Sequence, residues 1–263
     1  MAPGLAITTS TQQEHDPFPS RCPAVSDWTG QPIRWENRSV RRSSRLVALA
    51  AAIAVGTGVS VAGAARSDDF RDEFAAFDEN RWVVIGRTAG KGTLEPANVA
   101  VADGRLGVKL PAGTLDGGEV RSRGLYRWGS YRVRLKVANA PSSLTAFFLY
   151  RPPDYQREID IELWNDTSRR VMFSTYADGA QTNTRTMLLP FDATADFHEY
   201  TIEYRPGSVR FLVDGTLMQR WSRGVTRSSM HVFVTAWFPS WLEGLRPDTD
   251  RFTHVDWLEF VAR

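Results

Sequence analysis

The chain has 263 residues, a formal net charge of +2, nine tryptophans and a single cysteine. That length accommodates one large domain or two small ones. Near-neutral charge argues against a nucleic-acid partner and against a polyanionic substrate, and one thiol excludes a disulfide framework.

Residues 1–37 are rich in Pro, Ser, Thr, Gln and Asp and show no apolar period, the composition of a disordered tail. Residues 38–65 begin with the basic run Arg38, Arg41, Arg42 and Arg45. They turn apolar from Leu46 to Val55, more weakly to Val61, and end in Ala62-Gly63-Ala64-Ala65. Basic, apolar, then small is the order of a secretory signal peptide. Arg41-Arg42 with Ser39 weakly resembles a twin-arginine signal. The long preceding tail leaves two readings open: a start site assigned too early, or an uncleaved membrane anchor over 46–65. Either way, the domain at 66–263 is expected to be secreted, extracellular or in the cell envelope. N-terminal sequencing of secreted protein is expected to find a mature chain starting near Ala65. Full-length chain in the cytosol would overturn that expectation. Cys22 lies upstream, so the exported domain has no disulfide, and roughly 200 residues bury a core without one.

From Asp68 onward the chain reads as strands and turns. Asp103-Gly104, Asp178-Gly179 and Asp214-Gly215 are hairpin dipeptides, and Arg205-Pro206-Gly207-Ser208 is a strong turn. Between them lie runs rich in Val, Phe, Tyr, Trp and Thr: Val99 to Leu110, Tyr131 to Ala138, Thr145 to Tyr150, Tyr200 to Tyr204, Val209 to Val213 and Met230 to Trp237. No sustained helical period and no internal repeat appear. Many short strands with close turns predict an all-β antiparallel sandwich, a concanavalin-like jelly roll whose bent outer sheet forms a concave cleft.

One stretch organises the rest. Acidic and β-branched residues alternate strictly through Glu158-Ile159-Asp160-Ile161-Glu162. A period of two puts Glu158, Asp160 and Glu162 on one face and sends Ile159, Ile161 and Leu163 into a core. Same-face Cα atoms then sit roughly 6.6 Å apart, and the outer pair about 13 Å. Like charges so placed raise one another's pKa values, which a strand built only for stability avoids. A glycosidase needs such neighbours, one carboxylate to attack and one carboxylic acid to protonate the leaving oxygen. A solvated acidic strand face makes the same pattern, and spacing alone does not separate a retaining from an inverting geometry. Phe148, Tyr150, Tyr176, Trp237 and Trp241 are candidates to stack on sugar rings in the cleft. Trp82 and Trp257 are assigned to the core. His15, His198, His231 and His254 lack metal-ligand spacing, so no zinc site is expected.

From Phe70 to the end, the chain resembles family 16 of the glycoside hydrolases, in its bacterial lichenase-like branch (endo-β-1,3-1,4-glucanases). The resemblance is carried by Gly118-Glu119-Val120-Arg121-Ser122, Ala146-Phe147-Phe148-Leu149-Tyr150, and Glu158-Ile159-Asp160-Ile161-Glu162 without a β-bulge. Phe197-His198-Glu199-Tyr200, Arg205-Pro206-Gly207, Val213-Asp214-Gly215, Trp237 and Val255-Asp256-Trp257 follow in order. It implies a jelly roll and retention of anomeric configuration, with Glu158 as nucleophile, Glu162 as acid/base and Asp160 tuning the pair. It implies substrate contacts at Glu119, Arg121, Phe148, Tyr150, Tyr176 and Trp237. Read from residues alone, Glu119 and Arg121 also suit an exposed cross-strand ion pair. The resemblance further implies no catalytic cofactor, and a structural calcium on the convex side using Asp256, which an ordinary strand-end aspartate matches equally well. Gln156, Thr235 and Ser174 depart from the family pattern, which has Trp, Asn and Asn there.

The expected function is a retaining endo-β-glucanase, a monomer whose partner is a β-1,3-1,4- or β-1,3-glucan. Two alternatives stay open: a cell-wall β-glucan or xyloglucan transglycosylase, and a non-catalytic carbohydrate-binding jelly roll. A membrane enters only if 46–65 is an uncleaved anchor.

Overall fold

The computed structural model describes residues 69–263, so the tail at 1–37 and the segment at 38–65 lie outside the described residues. In chain order the strands are β1 (Phe70–Asp72), β2 (Trp82–Val84), β3 (Arg87–Ala89), β4 (Gly92–Leu94), β5 (Val99–Ala102), β6 (Arg105–Leu110), β7 (Gly118–Ser122) and β8 (Gly129–Lys136). There follow β9 (Leu144–Tyr150), β10 (Arg157–Trp164), β11 (Arg170–Ala177), β12 (Ala180–Leu188), β13 (His198–Arg205), β14 (Ser208–Val213), β15 (Thr216–Trp221), β16 (His231–Trp237) and β17 (Arg251–Ala262). The only helix among the described residues is a three-residue 3₁₀ turn at Pro96–Asn98.

Two antiparallel sheets result, the jelly-roll sandwich expected from the strand-and-turn pattern. One runs β15-β14-β13-β8-β17-β6-β5, with β1 also paired to β17; the other runs β12-β11-β10-β9-β16-β7-β2. Strands β3 and β4 form a separate hairpin. The three hairpin dipeptides have positive φ at both residues (Asp103 52° and Gly104 68°; Asp178 55° and Gly179 86°; Asp214 46° and Gly215 74°). That is what a two-residue turn matched to strand twist requires.

Ile159, Ile161 and Leu163 of β10 are fully buried, as are Phe147, Leu149, Phe173, Val232 and Val234 beside them. They share one core with Val133, Leu135, Tyr200, Ile202 and Leu258 of the facing sheet. Each such side chain contributes about 1.5–3 kcal/mol by leaving water. This burial also fixes the register of β10, because a one-residue slip would drive three carboxyl groups into the core. Gly118 sets the neighbouring strand: a Cβ there would lie 2.9 Å from Val99 Cγ2 and 3.0 Å from the Asn98 carbonyl. A side chain at 118 would therefore push β7, and Glu119 with it, off the sandwich.

Trp82 is core, 1 % exposed, with its indole N–H donated to Asp72 at 2.7 Å. The expectation for Trp257 needs correction. It is buried yet lies outside the core cluster, opposite Arg134 on the outer face and covered by the Arg71 guanidinium 4.0 Å from its ring. The pairing of β17 with β8 slips between Val255 and Trp257, and that bulge reverses which residues face inward.

Candidate active site

Residues directly opposite one another in neighbouring strands share a face, so the registers lay out the site. Glu158 lies between Tyr176 on β11 and Tyr150 on β9, Asp160 between Ser174 and Phe148, and Glu162 between Met172 and Ala146. On β16, His231 faces Tyr150, Phe233 faces Phe148 and Thr235 faces Ala146. On β7, Arg121 continues from Phe233 and Glu119 from Thr235. The acids thus lie in parallel cross-strand rows that reach the edge strands of the sheet. One row reads Ser174, Asp160, Phe148, Phe233, Arg121.

This face is turned away from the core, yet much of it is hidden. Asp160 is 5 % exposed, Tyr176 5 %, Phe148 8 %, Phe233 4 % and Glu119 1 %. Glu158 and Glu162 are half-buried. A flat outer face would leave such groups open, so they line the floor of a depression. Phe148 and Phe233 stack at 4.7 Å, with Tyr150 edge-on to Phe233. The Tyr150 hydroxyl donates to Asp154 in the loop before β10. Gln181 Nε2 donates to the Tyr176 hydroxyl at 2.9 Å.

Electrostatics follow from that burial. Loss of water pushes the Glu162 carboxyl up to about 7. Glu158 is raised first by burial, then by Glu162 and Asp154, with Arg87 pulling it back down. Asp160 is raised well above the ordinary aspartate range by burial, then by Glu158 and Glu162. Near neutral pH, the row therefore carries fewer than three charges. Such a row can both hold a proton for a leaving oxygen and present a carboxylate to a carbon.

The Glu119–Arg121 ion pair does not form. Glu119 is held instead by Arg87, with Nη2 to Oε2 at 2.7 Å and Nε to Oε1 at 3.0 Å, and it accepts a hydrogen bond from Thr235 Oγ1 at 2.6 Å. Arg121 points along the same face, and its Nε is buried without a partner in the protein. Arg87 Nη1, Asp160 Oδ1 and Trp164 Nε1 are likewise buried and unpartnered. Buried polar atoms are ordinarily satisfied. Those of Arg121, Asp160 and Trp164 lie on the acid-bearing face, where an incoming hydroxyl-rich molecule could satisfy them; four further unpartnered atoms, on Arg81, Trp128, Arg132 and Tyr200, lie elsewhere among the described residues.

Residues 89–258, well over half of the chain, match the family described as glycosyl hydrolases family 16. The chain belongs to that family. This family 16 protein is a glycoside hydrolase. It is 29% identical over 170 residues to a beta-glucanase of Paenibacillus polymyxa, covering 61% of this chain and 71% of that one. It is also 29% identical over 167 residues to a beta-glucanase of Bacillus subtilis (strain 168), covering 60% and 69%. Among solved structures, the Bacillus licheniformis beta-glucanase superposes with a TM-score of 0.67 at 24% identity, covering 74% of this chain and 98% of that one.

Two further expectations for this glycoside hydrolase change with the structure. Trp237 is half-buried and packs on a small cluster of Leu144, Trp164 and Met172 with Trp241 and Leu242. It is thus partly structural. Asp256 is the extra residue of the β17 bulge, bonded to Arg134 and 3.7 Å from Arg105 Nε. Two guanidinium groups on one carboxylate repel a divalent cation, so the residues around Asp256 do not fit a calcium ion. Among the described residues, no three His, Cys, Asp or Glu side chains gather as a metal site. Sequence reasoning missed Arg87 and Phe233. Arg87 lies outside every motif, and Phe233 stands in a run too uniformly apolar to show which face it takes.

Proposed function

We propose that this glycoside hydrolase is a retaining endo-β-glucanase acting on β-1,3-1,4- or β-1,3-linked glucan. The observation that carries this reading is the row Glu158, Asp160 and Glu162 on the floor of a depression that runs across strands. From β12 to β7 the floor spans five strand spacings, roughly 24 Å. That is room for several sugar units, as an enzyme that cuts within a chain requires. The relatives described as beta-glucanases support the substrate class.

In the proposed reaction, Glu158 attacks the anomeric carbon while Glu162 gives its proton to the departing glycosidic oxygen. The C–O bond breaks and a glycosyl ester to Glu158 forms. Glu162, now a carboxylate, takes a proton from water, and the water oxygen attacks the same carbon and frees Glu158. A carboxyl pushed up to about 7 by burial keeps its proton in about half of the molecules at neutral pH and yields it readily. Glu158 is raised further, to about 8, by burial and then by Glu162 and Asp154, so the field of the resting site does not separate the two roles, which rest on the match of Glu158-Ile159-Asp160-Ile161-Glu162 to the family signature. Asp160, between them, couples their charges. Phe148, Tyr150, Tyr176 and Trp237 offer stacking faces, and Glu119 and Arg121 polar contacts.

The test is reducing-sugar release from barley glucan, laminarin and xyloglucan, with and without an oligosaccharide acceptor. Release from the first or second, unaffected by acceptor, is expected. Transfer products would favour a transglycosylase, and binding without any bond cleavage a carbohydrate-binding jelly roll. Export of the domain, through the segment at 38–65, is part of the same proposal.

Trp237→Ala is expected to raise KM and lower kcat/KM through loss of a stacking surface worth ~1–3 kcal/mol, by analogy with bases on aromatic rings. Because the ring also packs on Leu144 and Trp164, a lower Tm should accompany the change. Unchanged kinetics with a lower Tm would remove Trp237 from the substrate path.

A further inference from the structure

The floor of the depression is acidic along β10 and basic at β7. Glu119 and Arg121 lie on the outward face of β7, and Arg123 follows one alternation further, just past the strand end. Arg87 grips Glu119 at 2.7 and 3.0 Å, and Thr235 Oγ1 holds the same carboxylate at 2.6 Å. The charge of Glu119 is thereby balanced by Arg87, although Arg121 stands only two residues away. Arg121 makes no ion pair among the described residues, and its Nε is buried and unpartnered. Arg123 donates to the Glu79 carbonyl. Three guanidinium groups therefore meet one carboxylate, and the excess is positive.

Neighbouring groups feel that excess. His231 stands opposite Tyr150 and edge-on to Phe233, on the same face. Burial first, then the charge of Arg121 and more weakly that of Arg151, hold it below the ordinary histidine range. Asp154, a further acid near Arg87, accepts from the Tyr150 hydroxyl. A half-buried cation without a counter-ion weakens the fold unless another molecule supplies the negative charge. The hydroxyl groups of a neutral glucan offer dipoles only. An anionic oxygen group offers the missing charge, and the planar fork of an arginine suits it.

Arg121 pairs with Phe233, Phe233 with Phe148, and Phe148 with Asp160. It is thus three strand spacings from the acids, roughly 14 Å. The stacked rings of Phe148 and Phe233 fill the floor between them. We propose that the β7 end of the depression is a subsite for an anionic substituent on the glucan, a carboxylate or a sulfate ester, carried by a sugar unit remote from the bond that breaks and bound by Arg121. This deepens the reading of the protein as a glucanase and rests on it. The rival is that Arg121 serves only neutral hydroxyl groups.

The test is calorimetric titration of full-length Glu158→Gln, which binds glucan without turning it over. The probes are barley glucan, the same glucan sparsely oxidised to carboxylates at its primary alcohols, and the same glucan sparsely sulfated. At least one anionic glucan should bind roughly five- to tenfold tighter than the parent, the difference between a charge-assisted and a neutral hydrogen bond. Which of the two gains identifies the group. The preference should shrink at high salt and vanish when Arg121→Gln is added. It should survive Arg220→Gln, which removes the same charge from an exposed position on β15 of the facing sheet. Equal binding of all three glucans overturns the proposal, and so does a preference that Arg121→Gln keeps or that Arg220→Gln also abolishes. The comparison of glucans leaves Arg121 intact, so it decides even if a substitution there unfolds the protein. Failure of all three glucans to bind would instead refute the glucanase reading.

Discussion

Glu158→Ala is expected to abolish hydrolysis, and sodium azide should restore turnover with inversion at the anomeric carbon. Removing the carboxylate leaves nothing to attack from the far face of the sugar, while a small anion fits the vacated space and attacks from that side. Glu162→Ala should lose roughly 10²–10⁴-fold on glucan, whose leaving group needs a proton. It should keep its first step on aryl glycosides with good leaving groups, where little acid help is needed. Azide then meets a glycosyl ester already formed on Glu158, so its product keeps the starting configuration. Asp160→Asn removes a charge coupled to both glutamates, and it should move the pH profile with a smaller loss of rate. Opposite configurations of the two azide products are the decisive reading. Identical products, or full activity in either alanine variant, would refute the assignment.

The same acids should make the fold less stable as pH rises. Glu162 is raised from 4.5 to about 7, and Glu158 and Asp160 are raised too. A raised acid keeps its proton when folded at a pH where the unfolded chain has lost it. The unfolded state binds fewer protons in that window, so stability falls between about pH 4.5 and pH 7 and continues down while Glu158 and Asp160 still titrate. For Glu162 alone, the loss is up to about 3 kcal/mol above pH 7. Denaturant unfolding of Glu162→Gln should show a flatter pH dependence than the parent, with the gap opening above pH 4.5. Parallel curves would mean that Glu162 titrates in the folded protein as it does in water. The unpartnered Oδ1 of Asp160 acts in the same direction. A site that holds three crowded carboxyl groups is maintained at a cost in stability, the usual relation between an active site and its fold.

Much of this arrangement was legible in the sequence. Strict alternation in β10 separated Ile159, Ile161 and Leu163 from Glu158, Asp160 and Glu162, because strand side chains alternate with a period of two whatever the strand pairs with. The hairpin dipeptides were equally plain, since few residues tolerate positive φ. Near-neutral net charge, in contrast, was silent about local fields. Arg87 lies in a hairpin outside both large sheets, and only the tertiary fold brings its charge to Glu119. The motif singled out Glu119 but not the partner that holds it. Arg87 is 32 positions away and Thr235 116, and no local rule links them. Uniformly apolar runs hid their faces: Phe233 sits between Val232 and Val234, and only the pairing of β16 with β9 puts it on Phe148. A bulge hid another. Parity counted along β17 sends Trp257 inward with Val255, and the slipped register at Asp256 turns it out under Arg71 and gives Asp256 to two arginines. Sequence by itself determined which faces of regular strands are polar and where the chain turns, because those depend on backbone geometry within a few residues. Tertiary structure alone decided which charges meet and which aromatics share a floor, because strand order and register bring together residues that the chain keeps far apart.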